Sequence, residues 1–105
     1  MERINRINKI REFLQKTPED SFLQHALALE YIKTGDDAKA RELFENILQR
    51  EPDYIGSYYH LGKVLERMGL QQDALICYEE GMLQCKKLND QHSYNELRAA
   101  YDDLL

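Results

Sequence analysis

The chain has 105 residues, a length that suits one domain, and its 43% hydrophobic and 31% charged residues argue against an intrinsically disordered protein. Its formal net charge of -5 disfavours nucleic acid as the main partner, because phosphate binding requires clustered lysine and arginine. The composition favours a single acidic globular domain.

No segment has the ~18 consecutive apolar residues that a membrane span requires, and residues 1–17 are charged throughout, unlike a signal peptide. Cys77 and Cys85 are eight residues apart, which is neither a redox CxxC pair nor a usual zinc-site spacing. Both lie in predicted helices, where lone cysteines usually pack as small apolar residues. We therefore expect no membrane contact, no metal site and no cofactor, and a reducing, cytoplasmic location.

The first predicted helix covers about residues 3–16 and ends at Pro18. Between residues 1 and 17, five basic side chains outnumber two acidic ones. A solvated helix face is the simpler interpretation of this charge, and contact with an acidic partner is the alternative. The apolar positions of this helix are Ile4, Ile7, Ile10, Phe13 and Leu14.

The next two helices are predicted over about 20–34 and 37–50, joined by a short turn. Gly35 can end the first of them, because glycine readily adopts the left-handed conformation that closes many helices. Asp36 or Asp37 can cap the second through a side-chain oxygen. The apolar faces are Leu27, Ala28 and Tyr31 in the first, and Ala40, Phe44, Ile47 and Leu48 in the second.

Three further helices are predicted over about 54–68, 71–87 and 91–104. Gly69 supplies the turn between the first two of these, but Gln71 and Gln72 follow it in place of the aspartates, which predicts a weaker cap. Asn89 and Asp90 can break the chain before the last helix. We expect each of these boundaries to hold within ~2–4 residues.

The chain also repeats itself with a period of 34 residues, the distance between Pro18 and Pro52. This shift matches large, small, turn and aromatic positions in a fixed order. It pairs Leu27 with Leu61, Ala28 with Gly62, Tyr31 with Leu65, Gly35 with Gly69, Ala40 with Ala74, Phe44 with Tyr78 and Leu48 with Met82.

These positions resemble the tetratricopeptide-repeat (TPR) family over about residues 21–88. The resemblance implies an all-α stack of antiparallel helix hairpins, about six helices in all, that forms a single domain over 1–105. The pattern departs from the family at Gln24, where a large apolar residue is usual, and at Gly81 and Lys86, where alanine and proline are common. We divide the domain into an N-terminal capping helix (1–17), two repeats (18–53 and 54–88) and a C-terminal capping helix (89–105).

The two ends look atypical, as the terminal elements of a repeat stack must be. A shift of 34 places Arg6 where Ala40 sits, so the first helix resembles the second helix of a repeat that lacks its first. The last helix matches with a shift of 36, which places Arg98 where Gly62 sits. A large charged residue at each of these close-packing positions predicts that no further helix packs there.

In the TPR family the first helices of successive repeats line a concave groove, and the resemblance implies which residues face it here. Lys63 and Arg67, four residues apart, could hold an acidic group. Phe22 and Leu29 could instead belong to the core. The predicted partner-binding residues are Phe22, His25, Leu29, Lys33, Tyr59, His60, Lys63, Arg67 and Asn95, with Gly56, His92, Glu96 and Ala99 beside them.

Some chaperone co-factors of this fold grip a C-terminal carboxylate with a clamp of lysine, asparagine and arginine. The inner positions here hold histidines, Leu29 and Glu96 instead, so recognition of heat-shock chaperone tails is not expected. The sequence has no helix-spaced metal ligands, P-loop, GxGxxG or GxSxG motif, and we expect no catalytic residues and no enzyme activity.

Two functions compete at this point. The first is a protein–protein interaction scaffold that binds a peptide or helix of a partner in the groove. The second is a self-associating module, a homodimer formed through a terminal helix face, because Ile4, Ile7, Leu104 and Leu105 need not all find cover within one chain. The chain ends inside a predicted helix, which is also compatible with a domain excised from a longer protein.

Overall fold

The computed structural model describes residues 2–105, with side chains from Ile4 onward. Over this range the chain forms six α-helices and no strand, as predicted. They are α1 (Glu2–Lys16), α2 (Ser21–Lys33), α3 (Asp37–Arg50), α4 (Gly56–Arg67), α5 (Gln71–Leu88) and α6 (Gln91–Leu104). Each helix packs against its neighbour in sequence, and α6 also contacts α4.

The turns within the two hairpins follow the predicted chemistry. Gly35 and Gly69 have φ angles of 82° and 78°, the left-handed region that glycine enters without a steric penalty. The Asp36 carboxylate accepts a hydrogen bond of 3.2 Å from the Lys39 backbone N–H and so caps α3. The start of α5 has no such side-chain cap, because Leu70 occupies the capping position.

The break before α6 also lies where the sequence predicted it. Asn89 takes the left-handed conformation at the end of α5, with φ of 56°, and Asp90 accepts a hydrogen bond of 3.0 Å from the Ser93 N–H. One boundary differs slightly: α4 begins at Gly56, because Tyr54 still belongs to the turn that follows α3.

The core runs through both hairpins and includes aromatic side chains of the second helices, one of which, Tyr78, packs closely on Gly62 of the first helix of its own hairpin. Phe44 and Tyr78 are fully buried at equivalent positions of the two repeats. Such close-packed aromatic side chains contribute much of the apolar area that holds a stack of helices together. The remaining fully buried side chains include Ile47, Val64, Ala28, Ala40 and Ala74, with Leu97 closing the core from α6.

Both departures from the TPR pattern within the core have a structural reason. Gln24 is buried, and its amide donates to the Pro18 carbonyl at 3.0 Å and accepts from Arg50, so its polar atoms are satisfied. A Cβ atom at Gly81 would lie 2.8 Å from side-chain atoms of both Leu97 and Tyr58. Glycine at this position therefore allows α6 to pack closely on α5.

Cys77 and Cys85 are free and buried, as expected for structural cysteines. Burial raises the pKa of Cys77 to about 12, which keeps its thiol protonated. Within the described part of the chain, no helix is both long and apolar enough to cross a membrane.

Candidate partner-binding groove

The first helices α2, α4 and α6 bring several of the predicted groove residues together around two histidines. The Nδ1 atom of His25 lies 2.9 Å from the Ser57 hydroxyl, across the α2–α4 contact. The ring centroids of His25 and His60 are 5.5 Å apart in an edge-to-face arrangement. A Cβ atom at Gly56 would lie 3.8 Å from the His25 ring, an ordinary van der Waals distance, so this approach does not depend on glycine.

His60 connects the core to the outer surface of α4. Its ring stacks on Phe44 with a centroid distance of 6.1 Å, and its other side meets Tyr59 at 5.6 Å, nearly perpendicular. Tyr59 is 36% exposed, so its ring is held on one side and open to solvent on the other. Rigid aromatic side chains of this kind lose little conformational entropy when a partner covers them.

The surroundings keep both imidazoles uncharged near neutral pH. Burial, and secondarily the neighbouring His60, lowers the pKa of His25 from 6.5 to about 4. Burial also lowers the pKa of His60, although Glu96 acts in the opposite direction. The surface around them is therefore aromatic and neutral, with an acidic side chain at its edge.

A cavity of about 250 Å³ lies beside this surface, between α4 and α6. Tyr59 and His60 form one wall, and Glu96 and Leu97 come from the other helix. A concave site with apolar walls and few polar groups is the usual form of a side-chain pocket in a protein. Its full lining is Ile55, Gly56, Tyr59, His60, Ser93, Glu96 and Leu97.

The basic residues of α4 have partners within the chain. The Lys63 ammonium lies 5.6 Å from the centre of the Tyr59 ring and 3.6 Å from Glu66. Arg67 forms a two-pronged ion pair with Asp37, with N–O distances of 3.0 and 3.1 Å. Arg67 thus links α3 and α4, and the binding of an acidic group by Lys63 and Arg67 stays a prediction.

The remaining predicted residues lie apart from this centre. Phe22 is 71% exposed, whereas Leu29 is half-buried and packs against the core. Lys33 is exposed and pairs with Glu30 at 3.2 Å. Asn95 is exposed on α6, where it accepts a hydrogen bond of 2.8 Å from Gln91.

Two groove features were missed by sequence reasoning. Ser57 is fully buried, and its hydroxyl holds the His25 ring. No local pattern in the sequence points to this contact, because His25 and Ser57 are 32 residues apart. The second is the Arg67–Asp37 pair, whose partners are 30 residues apart and share no local pattern.

The chain matches the sequence profile of the tetratricopeptide repeat twice, over residues 21–64 and 55–91. The chain belongs to the tetratricopeptide-repeat family. This confirms the family predicted from the sequence, and TPR domains mediate protein–protein interactions. A comparison with curated proteins gave no significant match.

Solved TPR structures share this fold. A solution structure of a TPR domain protein from Salinibacter ruber is 38% identical, with a TM-score of 0.79, and the match covers 83% of this chain and 88% of that one. A crystal structure of a TPR domain protein from the same organism is 36% identical over 81% and 94% of the chains, with a TM-score of 0.77. The TPR2B domain of yeast Sti1, in a complex with pHsp70, has a TM-score of 0.90 at only 16% identity, covering 98% and 82%.

TPR proteins are typically non-catalytic scaffolds. The serine–histidine contact of this groove involves Ser57, whose side chain is fully buried and cannot reach a substrate. Among the described residues, no group of three or more histidine, cysteine, aspartate or glutamate side chains could hold a metal ion.

Proposed function

We propose that this TPR domain is a non-catalytic scaffold that binds a peptide or helix of a partner protein in the concave groove formed by α2, α4 and α6. The observation that carries the proposal is the neutral aromatic surface of Tyr59, His60 and His25, which adjoins the 250 Å³ cavity. A half-exposed aromatic side chain next to a pocket is the typical arrangement of an interaction hot spot.

The groove favours a ligand with an apolar or aromatic anchor for the cavity. Glu96 at its edge disfavours a C-terminal carboxylate and favours a basic or neutral group at that point. Lys63, which packs over Tyr59, can exchange its contact with Glu66 for an acidic group on the ligand. The expected ligand therefore has an apolar residue flanked by groups of opposite charge.

The yeast Sti1 domain supports peptide binding by this fold, because that domain occurs in a complex with pHsp70. At 16% identity the likeness concerns the fold alone, so the partner does not transfer. The histidine-lined groove, without the lysine, asparagine and arginine clamp, argues for a different class of peptide. We also propose no role in nucleic-acid binding, on the basis of the acidic composition, and a cytoplasmic location without membrane binding, on the basis of the charged residues 1–17 and the lack of a long apolar segment.

The test is selection from a phage-displayed library of random peptides, followed by calorimetric titration of the selected peptides. We expect Tyr59→Ala to weaken binding by at least about tenfold, roughly 1.4 kcal/mol, and Lys63→Glu to weaken binding of peptides with an acidic flank. Lys9→Glu at an exposed position of α1, outside the groove, is the control of equal charge change for Lys63→Glu. Circular dichroism checks that each variant is folded.

If no peptide is selected, or if selected peptides bind both groove variants as tightly as the unmodified chain, the groove proposal is wrong. The homodimer remains the second candidate, and the exposed apolar side chains Ile76 and Leu83 of α5 favour it.

A further inference from the structure

The outward face of α5 exposes large apolar side chains although this helix belongs to the core of the second repeat. Ile76 is 50% and Leu83 is 60% exposed. They are seven residues apart, about two helical turns or ~10.5 Å, so they lie in line on one face. Beside them runs a groove of about 550 Å³ between α5 and α6, lined also by Met82, Tyr94 and Tyr101.

The charges beside this apolar line change sign along the helix. Glu79 and Glu80 follow Ile76 by one turn, and Lys86 and Lys87 follow Leu83 by one turn. All four are exposed. Because each acid is seven residues before a base, Glu79 and Lys86 lie on one flank of the apolar line, and Glu80 and Lys87 lie on the other.

This pattern is self-complementary in one orientation only. In an antiparallel helix pair each flank faces the same flank of the partner, so Glu79 of one copy meets Lys86 of the other, and Glu80 meets Lys87. The midpoints of both pairs lie next to Leu83, which places the two-fold axis there. A parallel pair would instead oppose acid to acid and base to base, which costs free energy.

We propose that α5 is a homodimerisation helix, which pairs antiparallel with α5 of a second copy about a two-fold axis near Leu83. Contacts within the chain already hold Glu79 and Lys86, the charged residues of one flank, in place. Tyr101 donates a hydrogen bond of 3.4 Å to Glu79, and the Lys86 ammonium lies 5.5 Å from the centre of the Tyr94 ring. Both charged groups are thus positioned along the groove before a partner arrives, which lowers the entropic cost of association.

A head-to-tail assembly fits the structure less well. In it, α1 of one copy would pack on α6 of another and complete a repeat. Helices approach very closely at such a contact, since a Cβ atom at Gly62 would lie 2.1 Å from Tyr78. The equivalent positions on α6 and α1 are Arg98 and Arg6, so two like charges would meet where the family packs small residues.

This dimer is independent of the peptide groove, and its test is light scattering coupled to size exclusion, from low micromolar to near-millimolar protein. We expect the unmodified chain to dimerise, and both Glu79→Lys/Glu80→Lys and Lys86→Glu/Lys87→Glu to weaken dimerisation by at least about tenfold. The four changes combined should restore the dimer, because every pair is then reversed. Glu12→Lys/Glu42→Lys and Lys9→Glu/Lys16→Glu, all at exposed positions of α1 and α3, are the controls of equal charge change for the two double reversals and should leave the dimer intact.

A second measurement locates the axis. Leu83→Cys should form a disulfide-linked dimer under a glutathione redox buffer, whereas Gln72→Cys, far from the axis on the same helix, should not. Cys77 and Cys85 are buried and give little background. A chain that stays monomeric at all concentrations overturns the proposal, as does a dimer that neither double charge reversal weakens. Growth beyond a dimer would identify the head-to-tail assembly instead.

Discussion

Replacing Gly62 with alanine tests the close approach of α4 and α5 that holds Tyr59 and Lys63 in the groove. The added Cβ atom would lie 2.1 Å from Cε1, 2.5 Å from Cζ and 2.7 Å from Cδ1 of Tyr78. Carbon atoms pack best at about 3.5–4.0 Å, so the ring or the helix must move by roughly 1.5 Å. Tyr78 has no free side on which to move, because it is fully buried and its hydroxyl donates to Glu66.

The expected change in the free energy of unfolding is the difference between two opposing effects. Overpacking a well-filled core costs ~1–3 kcal/mol, and this contact belongs at the upper end because it involves a fixed ring. Alanine gains ~1 kcal/mol over glycine in helix propensity. The free energy of unfolding should therefore fall by about 2 kcal/mol, which lowers the melting temperature of a domain of this size by roughly 10 °C.

Thermal and urea unfolding followed by circular dichroism measure this change. Gly56→Ala is the matched control in the same helix, because its Cβ atom would meet only the His25 ring at 3.8 Å. It should leave the stability unchanged or raise it slightly. Tyr78→Leu in the Gly62→Ala background removes the clashing ring atoms and should cost less than the sum of the two single changes. A Gly62→Ala variant as stable as the unmodified chain would refute the reasoning.

Three further predictions follow from the side-chain environments. Because His25 binds a proton only near pH 4 when folded but near pH 6.5 when unfolded, stability should fall as pH decreases through this window, by at most ~1.4 kcal/mol per pH unit. Urea unfolding at pH 7 and pH 5 should show a smaller difference in His25→Gln, and an equal difference would contradict the assignment. Cys77, with its pKa raised to about 12, should react with a thiol reagent only after denaturation, and rapid reaction of the folded chain would disprove its burial. A double-mutant cycle with Asp37→Ala and Arg67→Ala should give a coupling of ~0.2–1 kcal/mol, because both side chains of the pair remain partly exposed to solvent, and zero coupling would show that the pair contributes nothing.

The fold was predictable because its determinants are local or periodic. Gly35 and Gly69 end helices through a backbone conformation that few other residues adopt, and Asn89 does the same before α6. The 34-residue period fixes which residues share the core, so the six helices follow from the sequence with boundaries shifted by only a residue or two. The start of α5 has no side-chain cap, which agrees with the weaker cap that Gln71 predicted.

The groove was less predictable because its chemistry depends on contacts between repeats. The sequence placed His25, Tyr59 and His60 on first helices, but it carried no sign that Ser57 would hold His25 or that both imidazoles would remain neutral. The spacing of Lys63 and Arg67 was visible in the sequence, but the pairing of Arg67 with Asp37 across the hairpins was not. Such pairings require the relative positions of α3 and α4, which no period in the sequence encodes.

The two proposed surfaces lie on different faces of the domain, and this separation has a functional consequence. The peptide groove uses α2, α4 and one face of α6, whereas the dimer uses the outward face of α5 with a different face of α6, so one does not block the other. A two-fold dimer would present two copies of the groove at a fixed spacing. A partner that carries two copies of the peptide, or that is itself a dimer, would then bind with an effective concentration set by that spacing and not by the affinity of one groove alone. Under those conditions, a groove that binds each peptide with low affinity through a single aromatic anchor is sufficient for specific recognition.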